Sequence, residues 1–286
     1  VSTQSTGMIK LLILCMQTQT PIVLMHGIQG SADQMNIFMD WIKLAIPSAY
    51  TLSCPVGEAM DSIFEGINDQ IDDFAVCVSN NKQLANGFIA LGYSQGGYVM
   101  RGYIHKYNNP PVLKFITLSS PHAGYFCGVT QSCNNIIFPP LLNEIIGELA
   151  YTEFFQQNIA GAGYWQDPYH HQKFLDGSQS LAILDNLNWE NPKFKQNFES
   201  LKLLVMVASP QDEVIAPWQS AWFGFFAIGG DKEVVALGER EEAVSSGYKT
   251  LLDDGRLVMI NSNLTHTGYF SDKAFFDTNV VKYLRE

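Results

Sequence analysis

Basic residues are scarce in this 286-residue chain: 17 Lys and Arg stand against 28 Asp and Glu, for a formal net charge of −11. No basic stripe is available to neutralise a row of phosphates, which argues against nucleic acid as a partner. The same sign opposes docking on anionic membranes. Long apolar runs are missing too, so no segment reaches the length needed to span a bilayer. Histidine is limited to six residues and cysteine to five, and no spacing among them resembles a zinc site. Neither a metal nor any other cofactor is expected. Internal repeats and low-complexity tracts are lacking. What is plentiful is apolar side chain, 47% of the residues, which suits one large domain, or one domain with an insertion, around a substantial core.

The first twenty residues read as a leader. Met8-Ile9-Lys10 puts one basic residue ahead of the short apolar run Leu11–Met16, the pattern of a signal peptide; an added N-terminal strand is the alternative. If Cys15 leaves with that segment, Cys54, Cys77, Cys127 and Cys133 remain, an even number with three possible pairings. Cys127 and Cys133 are close enough to staple a local loop, and buried thiols are the alternative. One glycosylation sequon, Asn263-Leu264-Thr265, adjoins His266, where a glycan would crowd a neighbouring site.

Short apolar runs alternate with longer amphipathic stretches from residue 21 onward. This predicts an α/β domain over 21–286, with a mostly parallel sheet flanked by helices. The expected strands are Pro21–His26, Tyr50–Ser53, Gly87–Gly92, Leu113–Ser119, Leu201–Ala208 and Leu257–Asn261, most of them continuous enough to be buried on both faces. Ile63, Ile67, Ile71, Phe74 and Val78 recur at three- and four-residue intervals and predict a helix over Met60–Ser79. A closing helix is expected over Asp272–Arg285. Residues from about 122 to 200 are too many for a simple crossover and predict a largely helical insertion. Its apolar residues, among them Ile137, Phe138, Leu142, Phe154 and Phe155, are candidates for an acyl-binding wall or lid; packing onto the main core is the plainer role.

Gly92-Tyr93-Ser94-Gln95-Gly96 lies between a strand-like run and a helix-like one. A serine on so tight a turn takes a strained conformation, and the turn lifts its hydroxyl above the sheet at a helix N-terminus. A serine hydroxyl needs a base to take its proton, and the base needs an acid to fix its tautomer. In this architecture the chain order is Ser, acid, His. His266, in a loop after the last strand, fits the base. Asp212 fits the acid at the end of the preceding strand, with Glu213 as runner-up; Asp253 and Asp254 precede a glycine and read as turn residues. The amides of Gln95 and Ile28 are the candidate oxyanion donors. His26 reads as scaffold and His122 as support for the insertion hinge, and adjacent His170 and His171 do not share a face.

These residues resemble the palmitoyl-protein thioesterase family of α/β-hydrolases, particularly its lysosomal thioesterase branch. The likeness runs from about Pro21 to the C-terminus. It rests on Pro21-Ile22-Val23-Leu24-Met25-His26-Gly27, on Tyr93-Ser94-Gln95-Gly96-Gly97 with Arg101, and on Phe115–Pro121 and Tyr164–His170. Its narrowest part is Asp212-Glu213-Val214-Ile215-Ala216-Pro217-Trp218-Gln219-Ser220, running into Trp222-Phe223-Gly224-Phe225. The sequence around His266 is this chain's own. The resemblance implies Ser94 as nucleophile, Asp212 as acid and His266 as base. It implies hydrolysis of a long-chain fatty acyl thioester, carried on a protein, a peptide or coenzyme A, by a monomer in a lysosomal or secreted setting. A lipase or carboxylesterase acting on oxygen esters and a non-catalytic lipid-binding protein are the alternatives.

Overall fold

The computed structural model describes residues 19–127, 149–187 and 190–285. The leader's first 18 residues lie outside this range. Every expected strand forms: β1 (Ile22–Met25), β2 (Thr51–Ser53), β3 (Phe88–Tyr93), β4 (Val112–Leu118), β5 (Leu203–Ala208) and, after the two-residue strands β6 (Phe225–Phe226) and β7 (Val234–Val235), β8 (Leu257–Asn261). The sheet order is β2-β1-β3-β4-β5-β8, with every neighbouring pair parallel, while β6 and β7 pair antiparallel apart from it.

Successive side chains of a strand point to opposite faces, so each apolar run serves two cores. Val23, Met25, Ala90, Phe115, Leu204 and Met206 face one layer. Ile22, Leu24, Ile89, Leu91, Ile116, Leu118, Val205 and Val207 face the other. Each such side chain, fully buried, contributes roughly 1.5–3 kcal/mol. Phe38 and Ile42 of α1 (Asn36–Ala45) and the C-terminal residues Phe276, Val280, Val281 and Leu284 cover the second face. The first face is covered by α2 (Asp61–Phe64), α3 (Ile67–Ser79) and α4 (Gln95–Lys106) together with Phe174, Leu181 and Leu184 from the region of the expected insertion. Those three residues sit in the main core.

Two predicted helices are each broken once. The stripe Ile63, Ile67, Ile71, Phe74, Val78 is buried throughout, yet the backbone leaves the helix at Glu65 and restarts after Gly66. A Cβ on Gly66 would lie 2.3 Å from the Gln157 carbonyl oxygen, so only glycine lets residues 153–158 approach the break this closely. The C-terminal segment divides likewise into Lys273–Asn279 and Val281–Leu284. The break at Gly66 adjoins a cavity of about 480 Å³ lined by Glu58, Asp61, Glu65, Asp69 and Asp73. Burial, then the proximity of Asp73, pushes the Glu65 carboxyl up to about 7. Between its ordinary value of 4.5 and about 7 the folded chain holds a proton there that the unfolded chain releases, so stability falls as pH rises through that window. Glu65→Gln should therefore raise Tm at pH 8, on the order of 2 °C for this partly exposed group, and leave it unchanged at pH 4.5. Thermal unfolding at both pH values checks this; an equal shift at each would mean that the carboxyl's charge is not the cause.

Cys54 and Cys77 form a disulfide that ties the segment after β2 to α3. Cys127 is also disulfide-bonded; its expected partner, Cys133, lies outside the described residues. No helix among the described residues is long and apolar enough to cross a membrane.

Candidate active site

From β1 the chain moves outward to β2, then returns to place β3 on the other side of β1. The connections thus reverse direction between β1 and β3, and a parallel sheet opens a crevice at the C-terminal ends of two such strands. His26-Gly27-Ile28 leaves β1 at this point and Ser94 leaves β3. The two loops touch, since a Cβ on Gly27 would fall 2.9 Å from the Ser94 Cβ.

Ser94 has φ 52° and ψ −128°, in a region that L-residues seldom occupy. Its N–H donates to the Leu118 carbonyl at 2.8 Å and its carbonyl accepts from the Gly97 N–H at 3.0 Å. So sharp a reversal requires the start of α4 to lie against the strands. A Cβ on Gly96 would sit 2.3 Å from the His26 carbonyl oxygen, and one on Gly97 would overlap the Ser120 hydroxyl.

His266 arrives in the loop after β8 and its Nε2 lies 2.9 Å from the Ser94 Oγ. Its Nδ1 lies 2.8 and 3.0 Å from the two Asp212 oxygens. The peptide on each side of His266 is held as well: Tyr93 Oη donates to its carbonyl at 2.9 Å, and Glu213 Oε2 accepts from its N–H at 3.0 Å. Asp212 Oδ1 accepts from the Val214 and Ile215 amides, each at 2.9 Å. Burial alone would raise the Asp212 carboxyl, but the hydrogen bond and charge of His266, with the Ile215 amide, outweigh it and hold the group below its ordinary value. Ser94 is 2% exposed and His266 5%, so the hydrogen-bonded chain is shielded from water.

The predicted Ser94, Asp212 and His266 therefore meet. Glu213, the alternative acid, touches the main chain of His266 instead of its ring. Gln95 opens α4, and among the described residues neither its N–H nor that of Ile28 has a backbone acceptor. His26 is buried with Nδ1 2.8 Å from the Gly27 carbonyl. His122 lies 3.0 Å from the Thr117 hydroxyl and gives its carbonyl to Arg101, which fits a hinge support. His170 pairs with Asp167 at 2.8 Å. Asp253 and Asp254 form exposed ion pairs with Lys249 and Arg256. Asn263 is exposed, in a left-handed turn. Of the candidate acyl-wall residues, Phe155 packs on the core, Phe154 is 65% exposed, and Ile137, Phe138 and Leu142 lie outside the described residues. Among the described residues no cluster of His, Cys, Asp and Glu could hold a metal ion.

A sequence model of the family described as Palmitoyl protein thioesterase matches residues 21–266. The chain belongs to this family. It is 32% identical to palmitoyl-protein thioesterase 3 of Dictyostelium discoideum over 285 residues, covering 97% of this chain and 96% of that one. It is also 32% identical to the lysosomal thioesterase PPT2 homolog of Drosophila melanogaster over 271 residues, covering 92% and 91% of the two chains. Among solved structures it resembles an extracellular α/β-hydrolase from a Paenibacillus species, with a TM-score of 0.49 and 14% identity over 93% of this chain and all of that one. The matched residues 21–266 include Ser94, Asp212 and His266. The Glu213 contact to the His266 main chain is a further feature of the site. No pattern around His266 signals that contact, which joins residues 53 positions apart.

Proposed function

We propose that the chain hydrolyses long-chain fatty acyl thioesters through an acyl-serine intermediate. The observation that carries this reading is the unbroken hydrogen-bonded path from Ser94 Oγ through His266 to Asp212, set at the sheet's switch point in a chain of this family. His266 takes the Ser94 proton as Oγ attacks the thioester carbonyl. Asp212, ionised because its carboxyl is held low, keeps the Nδ1 proton in place and stabilises the imidazolium. The Gln95 and Ile28 amides receive the negative charge that develops on the carbonyl oxygen. The thiolate then departs and the imidazolium gives up the serine proton to the leaving sulfur or to solvent. The neutral imidazole next takes a proton from water, which attacks the acyl carbonyl, and returns it to Ser94 Oγ as the fatty acid leaves.

A thiol with a pKa of about 8.5 leaves far more readily than an alcohol. Acylation consequently depends little on protonation of the leaving group, whereas deacylation needs an imidazole free to take a proton from water. The names of the Drosophila and vertebrate relatives support a lysosomal setting for this chain as well. Every group named above belongs to one chain, so a monomer carries the whole site.

The leaving group supplies the test. Purified protein should hydrolyse a palmitoyl thioester with a kcat/KM about 10-fold or more above that for p-nitrophenyl palmitate, although the latter releases an activated phenol. Faster cleavage of the oxygen ester would instead identify a carboxylesterase. Extending the panel to palmitoyl-CoA and an S-palmitoyl peptide separates the possible thiol carriers.

A further inference from the structure

The site proposed above needs two backbone amides, from Ile28 and Gln95, aimed at one point. They come from different elements, the Ile28 amide from the loop after β1 and the Gln95 amide from the first turn of α4. The residue after Ile28, Gln29, has φ 59°, a left-handed conformation that costs energy for a residue other than glycine. Some contact must hold it there.

That contact is Ser62, a fully buried residue of α2. Its hydroxyl accepts from the Gln29 N–H at 2.6 Å and donates to the Ala59 carbonyl at 2.5 Å. Its own carbonyl accepts from the Gln95 side-chain amide at 2.9 Å. The same Gln95 amide donates to Gln70 Oε1 at 2.9 Å, and Gln95 Oε1 accepts from the Tyr164 hydroxyl at 2.9 Å. Gln70 returns a hydrogen bond to the Ser62 carbonyl at 3.3 Å. Two further bonds join the same pair of loops, from the Ala59 N–H to the Gly30 carbonyl and from the Ala32 N–H to Glu58 Oε1, each at 2.7 Å. Ser62 touches both sides: its side chain grips the residue after Ile28, and its main chain grips the side chain of Gln95.

We infer that Ser62 is a positioning residue for the oxyanion hole. It rests on the function proposed above and acts through Gln29 and Gln95 without touching substrate. Its hydroxyl is the replaceable half of the strut. In Ser62→Ala the Gln29 N–H loses its buried acceptor, the left-handed turn relaxes, and the Ile28 amide swings away from the developing charge. The main-chain half, the bond to Gln95, survives. Losing one aligned donor costs about 100- to 1,000-fold in other acyl-transfer sites, and an amide displaced but not deleted should cost about 10- to 100-fold.

The experiment compares wild type, Ser62→Ala and Ser62→Cys, the last preserving the shape of serine with a much weaker acceptor. Three quantities are measured: kcat and KM on a palmitoyl thioester, affinity for a non-hydrolysable palmityl thioether, and inhibition by a palmityl trifluoromethyl ketone. The ketone forms a tetrahedral adduct with an oxyanion, and the thioether does not. The expected result is a 10- to 100-fold loss in kcat and an equal loss in ketone affinity, with KM and thioether affinity within about twofold of wild type. Ser62→Cys should fall between the other two. Equal weakening of ketone and thioether, or wild-type kcat in both variants, overturns the assignment. If Ser62→Ala does not fold, Ser62→Cys carries the same comparison. Wild-type turnover that survives Ser94→Ala would overturn both this inference and the function on which it rests, whereas Ser94-dependent turnover insensitive to Ser62 overturns this inference alone.

Discussion

Ser94→Ala is expected to lower palmitoyl-thioester turnover by about 10⁴- to 10⁶-fold, with Tm within about 2 °C of wild type. The rate effect is large because the hydroxyl is the atom that becomes acylated; without it, water must attack a carbonyl that the site merely binds. The stability effect is small because alanine inherits the same strained φ and ψ, and the Ser94 main-chain bonds to Leu118 and Gly97 do not involve the side chain. His266→Ala should cost a similar factor, and the double variant should be no slower than either single one, since the two residues act as a unit. Release of thiol, followed spectroscopically under steady-state conditions, checks all three. Additive losses in the double variant would mean that Ser94 and His266 serve separate steps, and turnover above about 1% of wild type in Ser94→Ala would place the nucleophile elsewhere.

The parts of this site that depend on local pattern were legible before any coordinates. A strand buried on both faces is mostly apolar, so β1, β3 and β5 announce themselves, and the tight turn at Ser94 needs glycines at close approaches. The chain order Ser, acid, His then pointed to Asp212 and His266, which the fold brings within hydrogen-bond reach of each other and of Ser94. Long-range features were silent. The stripe through Ile63 and Val78 predicts one helix because burial does preserve the period; the break falls at Gly66, where the Gln157 carbonyl leaves no room for a side chain, a contact no helical window contains. Glu213 reads as the runner-up acid because it follows the right strand, and nothing in its neighbours tells that its carboxylate meets the His266 N–H. Ser62 carried no signal at all. Its importance lies in joining residues 29 and 95, which are brought together only when β1 and β3 pair. β6 and β7, two residues each, are too short for any alternation to show.

The second large effect concerns Arg101, the fully buried cation of α4. Its guanidinium pairs with the Asp185 carboxylate, donates to the His122 carbonyl at 2.5 Å, and lies 5.3 Å above the rings of both Phe223 and Tyr248. One side chain thereby links the helix that begins beside Ser94 to the start of the segment after β4, to its far end, and to residues on either side of β7. Asp185→Ala would leave this cation buried and unpaired, which should cost about 3–5 kcal/mol and lower Tm by roughly 10 °C. The double variant Arg101→Met, Asp185→Leu removes both charges and both desolvation penalties, so it should regain most of that stability. Activity should separate the two roles. If the ion pair serves only to hold the fold, the double variant recovers turnover along with Tm. We expect it instead to remain about 10-fold slower, because methionine cannot bond the His122 carbonyl and α4 then loses its fixed angle beneath Ser94. Recovery of wild-type kcat at restored Tm would show that packing alone, without the charges, suffices to hold α4 in place.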